Sequence, residues 1–192
     1  MRTSSWAIAL CLAGCAGAPP PAASPRPART PSTEYAPFED GTVLAYETQD
    51  ESTGERGLVV LRVRRPRPGL VELDDGGNVQ RLYVEGRDLR HATGGYLLKR
   101  PLQKGATFRG SFGEVTITDT DVALRVPAGS FVECLETVEQ TPRRDKRART
   151  VFCPGVGMVL LEVEGGEGAD VARIRFELRS YGPAVDLGAT PE

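Results

Sequence analysis

The chain has 192 residues, of which 24 are Lys or Arg and 26 are Asp or Glu, giving a formal net charge of −2. A nucleic-acid-binding surface needs a strong excess of basic residues, so this balance argues against that class of protein. The hydrophobic content of 40% is sufficient for a core, and the length is that of one domain with additional segments.

Residues 1–14 have the layout of a secretion leader. The apolar run at residues 6–12 is shorter than the roughly 20 residues that cross a bilayer as a helix. It ends in Leu12-Ala13-Gly14-Cys15, which resembles the lipobox of bacterial lipoproteins. The resemblance implies a lipoprotein signal peptide at residues 1–14 and an acylated Cys15 that anchors the mature chain in membrane lipid. The alternative is an ordinary signal peptide cleaved near residues 16–18.

The residues after Cys15 predict a cellular location and a spacer between the lipid anchor and the domain. Ala16 stands where such lipoproteins carry Asp as an inner-membrane retention signal, so a lipid-anchored location at the outer membrane of a bacterial cell envelope is expected. Residues 15–37, the cysteine and a Pro/Ala-rich segment, are predicted to form an extended tether because they bury little apolar surface. A proline-motif ligand for a partner is the alternative. Residues 38–182 are predicted to form one β-rich domain, and residues 183–192 a flexible tail.

Alternation of apolar and polar residues through most of the domain predicts half-buried strands. Turns are predicted at residues 74–78 and at Asp119-Thr120-Asp121, and Ile174, Phe176 and Leu178 are expected to face inward. No segment has the i, i+3, i+4 apolar spacing of a helix. Outside one cysteine-containing hairpin, the predicted strands are residues 41–47, 57–65, 69–73, 79–84, 88–92, 96–99, 112–118, 122–126, 158–163 and 171–181.

Consecutive strands joined by tight turns predict an all-β fold with a single antiparallel meander. Because one face of the predicted sheet is apolar and the other charged, the apolar face must be buried against itself. A strongly curved sheet or half-open barrel achieves this without helices. A β-sandwich is the alternative.

The hairpin at residues 127–157 contains Cys134 and Cys153, the two cysteines outside the leader. If its turn is centred between Arg143 and Arg144, the two cysteines lie directly opposite each other, within the range of a disulfide. An oxidising compartment would favour this disulfide. The alternative is a pair of half-buried thiols. A metal site is not expected, since His91 is the sole histidine.

Two proline- and glycine-containing motifs flank this hairpin. Pro127 and Gly129 are predicted to form a turn between strands, after which Phe131 begins the next strand. Pro154, Gly155 and Gly157 are predicted to interrupt the partner strand as a bend or bulge, because proline cannot donate to a strand ladder. These roles are structural, and the alternative is a binding loop.

Several segments resemble a family of uncharacterised bacterial envelope proteins. They are Tyr96-Leu97-Leu98-Lys99-Arg100-Pro101-Leu102, Val126-Pro127-Ala128-Gly129-Ser130-Phe131 with Cys134-Leu135, and Pro154-Gly155-Val156-Gly157-Met158-Val159. The family pattern is LLKxPL, VPAGxFxxCL and APGVGxV in this order, and this chain departs from it by having Cys153 in place of Ala. The resemblance implies no known activity, and similar envelope domains are half-barrels related in shape to lipoprotein-carrier folds.

A basic run begins at the centre of the predicted hairpin turn. Arg143, Arg144, Lys146, Arg147 and Arg149 could contact an anionic group such as the phosphate of a lipid or lipopolysaccharide. The structural interpretation is a solvated hairpin tip that is balanced by Glu133, Glu136 and Glu139 on the partner strand.

The sequence shows no nucleophile elbow, phosphate loop or metal-ligand pattern, so an enzyme and a cofactor are not expected. A calcium site at Asp119 and Asp121 lacks further ligands at loop spacing. The favoured class is a structural or protein-interaction module of the envelope. The alternatives are a carrier or sensor of an apolar ligand held inside the curved sheet, and an unrecognised enzyme.

Overall fold

The computed structural model describes residues 34–143, 145–166 and 172–184. The predicted leader, Cys15, most of the tether, Arg144 and residues 185–192 lie outside this part of the chain. In the described residues, twelve antiparallel strands form one sheet. The strands are β1 (Thr42–Asp50), β2 (Arg56–Arg67), β3 (Leu70–Asp74), β4 (Val79–Glu85), β5 (Asp88–His91), β6 (Tyr96–Leu98), β7 (Thr107–Arg109), β8 (Glu114–Val126), β9 (Gly129–Gln140), β10 (Lys146–Cys153), β11 (Gly157–Gly165) and β12 (Ala172–Pro183).

The strand order is β6-β5-β4-β3-β2-β1-β12-β11-β10-β9-β8-β7. The first and last strands therefore pair at the centre of the sheet, and β6 and β7 are its two edges. The sheet curls into a nearly closed barrel with an unsealed seam, which confirms the predicted all-β meander and excludes the sandwich. In the described residues, no helix is long and apolar enough to span a membrane.

One hydrophobic core joins the two halves of the sheet. Tyr46, Leu82, Leu98, Ile117 and Phe152 come from different strands and are all essentially inaccessible to solvent. The hydroxyl of Tyr46 donates a hydrogen bond to the Met158 carbonyl at 2.9 Å, which satisfies the only polar atom of this side chain. Its burial raises the pKa of Tyr46 above the ordinary tyrosine value.

The predicted turn at Asp119-Thr120-Asp121 is wrong, because β8 runs unbroken from Glu114 to Val126. The register with β9 shifts on both sides of Asp119, so the segment is a bulged part of one long strand. The Asp119 carboxylate accepts the backbone N–H groups of Thr120 and Asp121, the local bonding that also favours turns. These bonds lower the pKa of Asp119.

Four further details differ from the sequence-based expectation. β7 is a short strand that was not predicted, and Ile174 is 37% exposed although it was expected to face inward. Ala36, in the predicted tether, is also buried in the core. At the other end, Pro183 still belongs to β12, and the Ala184 N–H donates to the Gly41 carbonyl at 3.1 Å.

Candidate functional site

Cys134 and Cys153 form a disulfide bond, and their Cα atoms lie 4.3 Å apart. The β9–β10 ladder runs from the pair Arg147–Gln140 to the pair Phe152–Leu135, which is the register predicted from a turn centred between residues 143 and 144. Continuing this ladder by one residue places the two cysteines opposite each other. Both are fully buried, so the cross-link is part of the core.

The disulfide lies where β9 separates from β10. The β9–β10 ladder stops at Leu135. β9 pairs with β8 on both sides of this residue, so beyond it the pairing with β8 is the one that remains. Glu133 has a positive φ of 56°, and the register with β8 shifts nearby, so β9 bends at this point. We call residues 122–134 the arm.

The tip of the arm reaches β12 across the barrel end. The Ala128 N–H donates to the Leu178 carbonyl at 2.9 Å, and the rings of Phe131 and Tyr181 are 6.3 Å apart. The β11–β12 ladder has already stopped at the pair Leu160–Glu177, so the arm covers a part of β12 that β11 leaves free. The disulfide therefore joins the base of the arm to the main sheet.

The structure places the two turn motifs at the same end of the barrel. Pro127 and Ala128 form the predicted turn between β8 and β9, and Gly129 begins β9 with a φ of 141°. Of the predicted bend or bulge, the Pro154 motif is a bend, since it forms the turn that ends β10 and connects it to β11. Gly155 in this turn has a φ of 74°, which suits a residue without a Cβ. The register between β10 and β11 shifts between Val151 and Phe152, where Val159 is an extra residue on β11.

Residues 34–38, which we call the docked segment, pack onto these motifs. The Glu34 carbonyl accepts the Gly155 N–H at 2.6 Å, and the Tyr35 hydroxyl donates to the Glu133 carbonyl at 3.2 Å. Burial, together with the neighbouring charges of Glu34 and Glu133, raises the pKa of Tyr35. Ala36 and Phe38 are buried, so the chain that precedes the domain is fixed beside the disulfide. Sequence reasoning missed this contact because it joins residues about 100 positions apart.

The structure divides the basic run into residues with different environments. Arg149 makes ion pairs with Glu136 at 2.6 Å and Glu162 at 2.9 Å. Arg175 extends the same network to Glu162 and Glu177, so a row of alternating charges crosses β9 to β12. Because its donors are already paired, Arg149 is not a candidate for contacting an external anion, which corrects the prediction for this residue.

The other residues of the run that the structure describes do not converge on one site. The Lys146 ammonium lies 4.4 Å from the centre of the Phe112 ring, Arg143 is exposed, and Arg147 is half-buried. Of the three glutamates expected to balance the run, Glu136 does so. Glu139 instead accepts the backbone N–H groups of Phe112 and Gly113, at 2.6 and 2.8 Å. It therefore supports the turn between β7 and β8.

Two cavities differ in chemistry. A groove of about 620 Å³ lies over β1, β2 and β12 and is lined by Glu47, Arg56, Leu58, Arg175, Glu177 and Arg179, among others. A smaller cavity of about 290 Å³ lies beside the docked segment and is mostly apolar, with Phe38, Leu44, Val156 and Tyr181 in its wall.

The seam is closed at one point by two turns. A Cβ at Gly95, in the β5–β6 turn, would lie 1.8 Å from the Gly110 carbonyl oxygen, so the turns touch through their backbones. His91, the last residue of β5, is buried, and its Nδ1 atom lies 3.2 Å from Gln80 Nε2. Burial lowers the pKa of His91, and the Glu139 carboxylate acts in the opposite direction. The described residues contain no cluster of three or more His, Cys, Asp or Glu that could hold a metal ion.

No protein-family model matches the chain, and no curated protein matches it in sequence. Two solved structures show a distant likeness. One is a candidate exported protein with a YmcC-like fold from Bacteroides fragilis NCTC 9343, with 12% identity, a TM-score of 0.45, and coverage of 75% of this chain and 96% of that chain. The other is a candidate lipoprotein from Parabacteroides distasonis ATCC 8503, with 13% identity, a TM-score of 0.45, and coverage of 78% and 98%. A likeness at this level transfers no activity to this chain.

Proposed function

We propose that this protein is a lipoprotein of the bacterial cell envelope, anchored by acyl chains on Cys15 and located at the outer membrane. The lipobox-like segment and the tether support the anchor. In this proposal the barrel is a structural or protein-interaction module and has no catalytic activity.

The observation that carries the interaction role is the contrast between the two cavities. Pockets for small molecules typically measure about 300–1,000 Å³ and are mainly apolar. The apolar cavity beside Phe38 falls just below this range at 290 Å³, whereas the larger groove is lined by charged side chains. A protein surface fits the larger groove better than an apolar small ligand does.

The surroundings of the groove indicate the chemistry of a partner. Leu58 is 58% exposed and Val60 is 38% exposed on β2, so an apolar pair lies at the edge of the groove. Ion pairs join Arg175 to Glu177 and Arg179 to Glu47. Exposed apolar side chains bordered by charges of both signs are typical of a protein-protein contact. The expected partner presents an apolar side chain to Leu58 and an acidic one to Arg56, which has no ion-pair partner in the described residues.

Native mass spectrometry of the protein extracted from its host membrane in mild detergent tests both parts of this proposal. The intact mass should show acyl chains on Cys15, and a second protein should accompany the barrel in fixed stoichiometry. We expect the double variant Leu58→Glu/Val60→Glu to lose that partner. The matched control is Val79→Glu, which changes an apolar residue that is 43% exposed on β4, and it should retain the partner.

A mature chain without acyl groups would refute the anchor. A barrel that carries a lipid in place of a protein would refute the interaction role and favour the carrier alternative. A partner that survives in the Leu58→Glu/Val60→Glu variant would remove the groove as its binding site.

A further inference from the structure

Arg100 contains a buried charged atom with no partner. Its Nη1 atom is inaccessible to solvent and makes no hydrogen bond with any described residue. A buried N–H donor without an acceptor is costly, because its lost hydration is not replaced. Buried polar atoms in folded proteins are nearly always bonded, so this nitrogen requires an explanation.

The backbone around Arg100 is fixed while its guanidinium is not paired. The Arg100 N–H donates to the Asp88 carboxylate at 3.0 Å, which holds the residue against the β5–β6 hairpin. By contrast, Arg90 on β5 pairs with Glu85 at 2.6 Å, and Arg81 on β4 pairs with Glu72 at 2.8 Å. The arginines of β4 and β5 therefore have acidic partners, and Arg100 differs from them.

Arg100 lies in the connection between β6 and β7, the two strands that border the unsealed seam. Other basic side chains of this region already have contacts or face solvent. The Lys99 ammonium is 4.8 Å from the centre of the Tyr96 ring, the Lys104 ammonium is 3.8 Å from Asp119, and Arg109 is exposed. Among these side chains of the described residues, Arg100 differs in having a guanidinium nitrogen that is both buried and without a hydrogen-bond partner.

We propose that the seam between β6 and β7 binds an anion of the carboxylate or phosphate class at Arg100. The planar guanidinium presents paired donors that match the two oxygens of either group. The anion supplies the missing hydrogen-bond acceptor for Nη1. It can be a free ion or the headgroup of an amphiphile. This site is separate from the groove on β1, β2 and β12, so either proposal can fail alone.

The test measures thermal unfolding of the chain without its leader, residues 15–192 with Cys15→Ser. The probes are inorganic phosphate, decanoate and decyl phosphate, and decanol is the uncharged control. At a hundredfold excess over its dissociation constant, a bound probe should raise Tm by about 5–10 °C. We expect Arg100→Gln to weaken binding at least tenfold and Arg109→Gln, at the exposed position on β7, to leave it unchanged.

The pattern of responses identifies the source of the anion. Stabilisation by phosphate alone indicates a free ion, and stabilisation by decanoate or decyl phosphate without phosphate indicates an amphiphile. If no anionic probe stabilises the protein, or if decanol acts equally well, the proposal is overturned.

Arg100→Met provides a second test without any ligand. Removing an unsatisfied buried donor should leave the unliganded protein as stable as the wild type or more stable. A lower Tm in Arg100→Met would show that the guanidinium has a partner within the chain itself, and this result would also overturn the proposal.

Discussion

Breaking the disulfide between Cys134 and Cys153 should destabilise the barrel without changing its fold. The bond joins residues separated by 19 positions, at the point where the arm leaves β10. Because β9 and β10 pair over six residues from Gln140 to Leu135, the ladder remains when the bond is absent. The effect should therefore lie mainly in the unfolded state, which loses a covalent constraint.

Closing a loop of this length reduces the conformational entropy of the unfolded chain by an amount equivalent to about 3 kcal/mol at 25 °C. Single domains are usually stable by about 5–15 kcal/mol, so this loss is a substantial fraction of the total. With an m value of about 1–3 kcal/mol/M, the urea midpoint should fall by about 1–3 M.

Urea unfolding of residues 15–192 with Cys15→Ser, followed by circular dichroism, measures this change. The reduced wild type isolates the cross-link because it keeps both sulfur atoms in the core. Cys134→Ala/Cys153→Ala should unfold at slightly lower urea than the reduced wild type, since it also removes buried atoms. Equal midpoints for the oxidised and reduced wild type would refute this reasoning, as the bond would then contribute nothing measurable.

Two further predictions concern the seam and the core. Gly95→Ala places a Cβ against the Gly110 carbonyl oxygen at a φ of 76°, whereas Gly94→Ala, at a φ of 104°, has no atom within 4 Å of its Cβ. In urea unfolding, Gly95→Ala should therefore cost about 1–3 kcal/mol more than Gly94→Ala, and equal costs would contradict the contact between the turns. Because burial raises the pKa of Tyr46, this hydroxyl stays protonated in the folded state at pH values where it ionises in the unfolded chain. The free energy of unfolding of the wild type should therefore fall by up to about 1.4 kcal/mol per pH unit above about pH 10. Tyr46→Phe should lose less stability over the same range, and equal slopes in a pH series of urea titrations would exclude this role for Tyr46.

Local patterns in the sequence predicted much of the sheet. Alternation located eleven of the twelve strands, although it divided β8 in two at Asp119. The hairpin register followed from the position of its turn, because pairing in a hairpin is fixed once the turn is fixed. The three-residue strand β7, Thr107–Arg109, was too short to show an alternating pattern.

Contacts between distant segments were not predictable in this way. Neither the pairing of β1 with β12 nor the bond from Gly155 to Glu34 leaves a periodic pattern in the sequence. The environment of Arg149 depends on Glu162, which is supplied by a different hairpin, so the basic run alone could not reveal its pairing. The missing partner of Arg100 is likewise apparent only when every neighbouring strand is in place.

The position of the disulfide relative to the docked segment connects the fold to the proposed anchor. In an anchored protein, force between the membrane and the barrel enters the domain through residues 34–38. This segment holds the barrel through the Glu133 carbonyl on β9, next to Cys134, and the Gly155 N–H in the β10–β11 turn, two residues after Cys153. Under load, hydrogen bonds can break one at a time, whereas the covalent disulfide stays intact. The cross-link therefore lies where it keeps the arm and the β10–β11 turn together when the tether is pulled.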